Sequence, residues 1–358
     1  MTPIAGKINV MRSAVPTLML PLAAVLLTGC GYFFDQGRDQ AEHDSWSRRI
    51  ETAIRALPGV TDASHRFDHY KGRHFTAELD VRLRDDATGA EAASVVNVMG
   101  AQQLPRRFHG DPITVTINRM ADSYSAYWMF GRDVSPEANA AINWARLWAA
   151  GTEVHWDSSG GFADRIVNTV DVRAGSEREP HLAVAAMRRI IRDFPELASN
   201  QWVVSTVHGR EHEYTNHSER RPGSYPWPLD RNTLHQTPTP RFPSNDELDL
   251  WQWFLTDQPI PFFVRMTVYD PPLEGHTLGV TVFPPLGFTP AETTQLADLH
   301  LPHLAATGAV VDYTIHTPNG PSYYHEGPFF EVVVGGCQTP GHNVLLEAQP
   351  YVRQYEHC

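Results

Sequence analysis

Histidine is the side chain most able to do chemistry in this chain. It occurs 18 times, and two clusters share one spacing: His65, His69 and His74, then His208, His212 and His217. Neutral imidazole is the commonest ligand for zinc and other transition metals. Asp68, Glu211 and Glu213 stand nearby and could complete a site. Residues four apart share a face of a helix or a strand, whereas one five further on does not. Two readings therefore stand for both clusters: a transition-metal site, or solvated histidines on strand ends and polar loops. His212-Glu213 is not the zinc-protease motif, because the next histidine, His217, comes one residue too late for both ligands to face one ion. No nucleophile elbow, phosphate loop or dinucleotide fingerprint occurs. Asp85 and Asp86 precede a capped helix and read as turn chemistry. His303 reads as a core histidine. These absences point away from an enzyme, and no cofactor is expected beyond a transition metal.

The chain has 3 cysteines. Cys337 and Cys358 form an even pair near the C-terminus. A bridge between them would close a loop of roughly 20 residues and contribute ~3 kcal/mol while pinning the tail; two free thiols are the alternative. Cys30 is set apart by what precedes it. Arg12 is followed by an apolar run from Ala14 to Leu27 and then Thr28-Gly29. A basic start, an apolar stretch and small residues make a secretory signal peptide. The run is about 14 residues, interrupted by Pro16 and Pro21, against the ~20 needed to cross a bilayer.

With Cys30 directly after the small residues, Leu27-Thr28-Gly29-Cys30 resembles the lipobox of bacterial lipoproteins. That resemblance implies lipidation of the Cys30 thiol, cleavage before Cys30 and acylation of the new amino terminus. It gives a signal peptide over 1–29 and a lipidated tether over 30–43, and it places the protein on the extracytoplasmic face of the cell membrane. Two or more acyl chains anchor stably. A tether of this length reaches at most ~50 Å, so the folded part stays near the membrane.

Composition narrows the partners. The formal charge is −12, and loss of Lys7 and Arg12 with the leader makes the remainder more acidic still. An acidic surface argues against nucleic acid and against gripping anionic headgroups through charge. The expected partners are the membrane, through the N-terminal lipid, and an envelope protein or cell-wall component.

The elements that must position these residues recur. In residues 44–120, Ile50, Ile54 and Leu57 fall at helical spacing, Phe75 to Leu83 alternates as a strand, and Thr88 to Glu91 is a capping box opening a second helix. Residues 135–210 repeat the order. Ser135-Pro136 starts a helix whose core side carries Ile142, Ala145 and Trp148, and Ser176 to Glu179 is another capping box. Residues 244–336 repeat it again, with capping boxes at Ser244–Glu247 and Thr289–Glu292. Between the second and third copies, the proline-rich stretch 222–243 reads as an extended, semi-rigid connector. Residues 337–358 form a C-terminal tail. The fold expected is α+β: three tandem αββαβ units, with antiparallel sheets and helices packed on one face. The order of elements, together with Leu57-Pro58-Gly59-Val60 at a helix-to-strand joint, resembles the BON domain, an envelope-associated module. That resemblance implies binding at the membrane or cell wall, not catalysis. The ferredoxin-like plait is an equally good host for the pattern. The function expected is a membrane-anchored, noncatalytic lipoprotein that binds an envelope component or partner protein. The alternatives are a metal- or small-solute-binding lipoprotein and a cell-wall hydrolase.

Overall fold

The computed structural model describes residues 41–358, apart from 43, 71–73, 103–109, 130, 161–165, 177–178, 208–232, 239, 257, 261, 285–287, 317–329 and 338–344. A helix, α1, covers residues 44–55. It leads into a hairpin of β1 (Val60–Tyr70) and β2 (His74–Leu83), then α2 (Gly89–Gly100). The same succession continues through β3 (Pro112–Arg119), β4 (Asp122–Met129) and α3 (Ser135–Leu147). It runs on through β5 (Glu153–Gly160), β6 (Ile166–Arg173) and α4 (Pro180–Asp193). Then come β7 (Gln201–Ser205), β8 (Thr233–Pro238) and α5 (Asn245–Leu255). The chain closes with β9 (Phe263–Leu273), β10 (His276–Phe283), α6 (Pro290–Ala306), β11 (Val311–Ile315), β12 (Phe330–Val334) and α7 (Gln349–Tyr355).

The strands form one 12-stranded sheet in sequence order. This corrects the expectation of antiparallel sheets, because the sheet is mixed. Each hairpin pairs antiparallel, as β1 with β2 and β3 with β4. Each helical connection joins a parallel pair: β2–β3, β4–β5, β6–β7, β8–β9 and β10–β11. The reason is geometric. A helix carries the chain back along the sheet, so the next strand starts from the same end as the last. Strand β4 fills the gap between the first two expected units. Strand β8 lies inside the proline-rich stretch: it is extended, as expected, but bonded into the ladder against β7 and β9 rather than serving only as a connector.

One core runs the length of the sheet. In β3 and β4 alternate residues are buried, Ile113, Val115 and Ile117 facing Tyr124, Ala126 and Trp128 across the sheet's inner layer. The helices lie over these side chains, held close by small residues. A Cβ on Gly100 of α2 would stand 2.1 Å from a Val134 methyl just before α3. Side chains in between point to the outer face and are polar, as Thr114, Thr116, Ser123 and Ser125 show.

The capping boxes at Thr88–Glu91, Ser244–Glu247 and Thr289–Glu292 form in both directions. Two other helix starts differ from expectation. Ser135 lies inside α3, and the Asp133 carboxylate accepts from its amide (3.0 Å) and hydroxyl (2.8 Å). Ser176 Oγ meets the Glu179 carboxylate at 3.4 Å but caps nothing, since α4 begins at Pro180. The expected disulfide joins Cys337 to Cys358, with Cα atoms 5.0 Å apart. It holds the tail against β12, where the Gly335 amide donates to the Tyr355 carbonyl and the His357 amide to the Gly336 carbonyl.

Candidate functional site

A polar network lies on the outer face across β4 to β7. Register brings its members together: Ser123 pairs with His155, His155 with Asp171, Glu153 with Arg173, and Arg173 with Ser205. Each strand places these residues on one face because they alternate with buried neighbours, Val154 and Trp156 on β5 and Val170 and Val172 on β6.

The hydrogen bonds form a continuous line. Ser123 Oγ lies 2.6 Å from His155 Nδ1, and His155 Nε2 bonds to Glu153 Oε1. Arg173 Nη1 donates to the same Glu153 oxygen (3.3 Å), and its Nε donates to Asp171 Oδ2 (2.7 Å). Ser205 Oγ donates to the other Asp171 oxygen. The hydrogen bond from His155 holds the Glu153 carboxyl below its ordinary range, helped by the charges of His155 and Arg173 and opposed by burial. Glu153 is therefore an acceptor at neutral pH. It engages His155 through Nε2, which leaves Nδ1 facing the Ser123 hydroxyl.

Hydroxyl, imidazole and carboxylate in line are the parts of an activated nucleophile. Here, however, Nδ1 rather than Nε2 faces the hydroxyl, the reverse of the serine-protease arrangement. The strands also limit what the line can do. β4, β5 and β6 are each flanked by strands on both sides, so their main-chain amides are spent in the ladder. Oxyanion stabilisation, usually the largest part of acyl-transfer catalysis, would have to come from groups other than these strand amides. Asp171 and Ser205, at one end of the line, are buried, whereas Ser123, Glu153, His155 and Arg173 are half-buried.

The expected metal ligands are distributed differently. His65 is engaged by α1: its Nε2 lies 3.2 Å from Asp44 Oδ1, and its Nδ1 bonds to Glu51. His69 is four residues along the same strand, ~13 Å away, too far to share an ion with His65. In the β1–β2 hairpin His69 pairs with Phe75 and Tyr70 with His74, and the side chains of His69 and His74 lie outside the described residues. His208, His212 and His217 also lie outside them, as does Cys30. Among the described residues no group of three or more His, Cys, Asp or Glu side chains is placed to hold a metal ion, and no helix is long and apolar enough to cross a membrane.

The network of Ser123, Glu153, His155, Asp171, Arg173 and Ser205 escaped the sequence reading. Its local signal is present: Glu153-x-His155 and Asp171-x-Arg173 each place two polar groups on the outer face of a strand with an apolar core face. No family model, curated protein or solved structure matches this chain.

Proposed function

We propose that the protein is a membrane-anchored lipoprotein of the extracytoplasmic face, and that the outer face of its sheet binds an envelope component, a partner protein or cell-wall polymer, without catalysis. The observation that carries this reading is Leu27-Thr28-Gly29-Cys30 at the end of an apolar leader. The polar outer face supports it, since fixed donors and acceptors recognise a polar surface without reorganising. We read the chain further as three tandem αββαβ units, α1 to β3, α3 to β7 and α5 to β11, each followed by one more strand. The regular alternation of hairpin and helix supports that reading.

The test is photocrosslinking in intact cells expressing the full chain. A photoreactive residue is placed at Thr116 or Asp157 on the outer face, or at Arg188 on α4 as a control. The expected result is one envelope component captured from both outer-face positions and not from α4. Capture from α4 alone, or from no position, contradicts the reading.

The Ser123–His155–Glu153 line favours a second reading, a cell-wall hydrolase. With the amides of β4, β5 and β6 engaged in the sheet, Ser123 is expected to stay unlabelled by a fluorophosphonate probe at neutral pH. Labelling that Ser123→Ala removes would overturn the noncatalytic reading.

A further inference from the structure

The two edges of the sheet are finished differently. At β12 the edge is occupied. The Val333 amide donates to the Glu356 carboxylate at 3.1 Å, Gly335 and Gly336 bond to the tail, and Cys337–Cys358 ties that tail in place. At the other end, β1 pairs only with β2 among the described residues, and it is 11 residues long. A long edge is a template for another strand unless something blocks it.

The residues of β1 select an occupant. Asp62, Ser64 and Arg66 are exposed and alternate with buried Ala63 and half-buried His65. Consider a second copy of β1 laid antiparallel, with a twofold axis through Ser64. Asp62 then faces Arg66 of the second copy, twice by symmetry, and Ala63 faces His65. Registers that differ by two residues keep the same faces together but lose the pairing of Asp62 with Arg66. An axis through Asp62 sets it against itself, one through Arg66 does the same for arginine, and one through Ala63 sets Asp62 against Ser64. Only the register centred on Ser64 sets Asp62 opposite Arg66, and like charges directly opposite one another disfavour those centred on Asp62 and on Arg66. Within one chain Asp62 Oδ1 accepts from the Ala63 amide at 2.9 Å and lies 3.5 Å from Arg55, and Arg66 lies 3.9 Å from Glu78.

We infer that β1 is the interface of a symmetric dimer, in which two copies join edge to edge to make one continuous sheet. The occupied β12 edge means that association stops at two copies and does not run on into a filament.

The test uses the full chain in the membranes of expressing cells. At the twofold axis the two Ser64 Cα atoms would stand ~5 Å apart, within disulfide range. Ser64→Cys is therefore expected to give a dimer on a non-reducing gel that reductant dissolves. Asp80→Cys, exposed on β2 one strand in from the edge, is expected to remain monomeric. On the Ser64→Cys background, Asp62→Arg or Arg66→Asp should each weaken dimerisation about tenfold, and the double exchange should restore it. Both side chains are exposed, so the fold tolerates the changes. The inference is overturned by absence of the Ser64→Cys dimer, by a mixed disulfide to a different protein in its place, or by a double exchange no better than the single ones.

Discussion

Replacing Trp144 with alanine is expected to destabilise the protein by about 4 kcal/mol. Trp144 sits at the centre of the layer between α3 and the sheet and is fully buried. Its ring packs on Tyr124 with centroids 5.7 Å apart and edge-on against Trp148 at 4.8 Å. Its Nε1 donates to the Val154 carbonyl at 3.1 Å, so the helix is tied to β5 as well as packed on it. Tyr124 in turn donates to the Glu137 carbonyl of α3 at 2.8 Å. Truncation removes the indole's transfer free energy and leaves a cavity that neighbouring aromatics on rigid strands cannot collapse into. Urea unfolding of the full chain checks this. A loss of 3–5 kcal/mol is a large part of the 5–15 kcal/mol that holds a typical domain together. A loss under 1 kcal/mol would contradict the packing. Trp144→Phe is expected to recover most of the difference.

A second large effect is expected from acid. His300 of α6 is fully buried, with Nδ1 2.7 Å from the Tyr313 hydroxyl and Nε2 3.2 Å from Gln258 Oε1. Phe254, Phe262 and Trp253 surround it. Burial disfavours the imidazolium, and the nearby His303 adds to this, so the His300 pKa is pushed down to about 3. The unfolded chain therefore binds a proton that the folded one refuses, between about pH 6.5 and 3. Stability is whole above that window and falls as pH drops into it. From pH 7.5 to pH 5 His300 is expected to remove about 2 kcal/mol. His303, stacked on Trp253, and His316, stacked on Phe283, are also pushed down by burial and act in the same direction. Glu137 and Asp122, raised by burial, act in the opposite direction. Carboxylates lowered by hydrogen bonds, such as Glu153 and Glu292, lose their contribution only below the usual carboxylate range. Denaturant titrations at several pH values should show His300→Gln flattening the slope between pH 7.5 and 5. An unchanged slope would mean that His300 takes up its proton in the folded state.

Local chemistry was the most legible part of this fold. Three reciprocal capping boxes and the alternation in β2 follow from residue types within a few positions of one another, and the Cys337–Cys358 bridge from an even pair 21 residues apart near the C-terminus. What was missed is mostly non-local. Ile142 looked like a core residue of α3, yet it is exposed while Trp144 takes the inner position. A helix alone shows its apolar positions but not which of them the sheet will meet. Tyr124, Ala126 and Trp128 alternate with polar residues in a proper strand pattern. Strand β4 escaped notice because it falls between two units that already looked complete. Proline hid β8, although its six residues sit in the ladder between β7 and β9. The polar network was illegible for the same reason as the mixed sheet. Ser123, His155 and Asp171 are neighbours only through register across three strands, and a single sequence does not carry strand order.

Anchoring through Cys30 is tested most directly by intact-mass analysis of the mature protein extracted from membranes. The predicted result is a chain that begins at Cys30, carries a diacylglyceryl group on that residue and sediments with the membrane, with Cys30→Ser releasing the protein and leaving it unlipidated. A chain that retains residues 1–29, or that begins elsewhere without lipid and stays out of the membrane fraction, would contradict it.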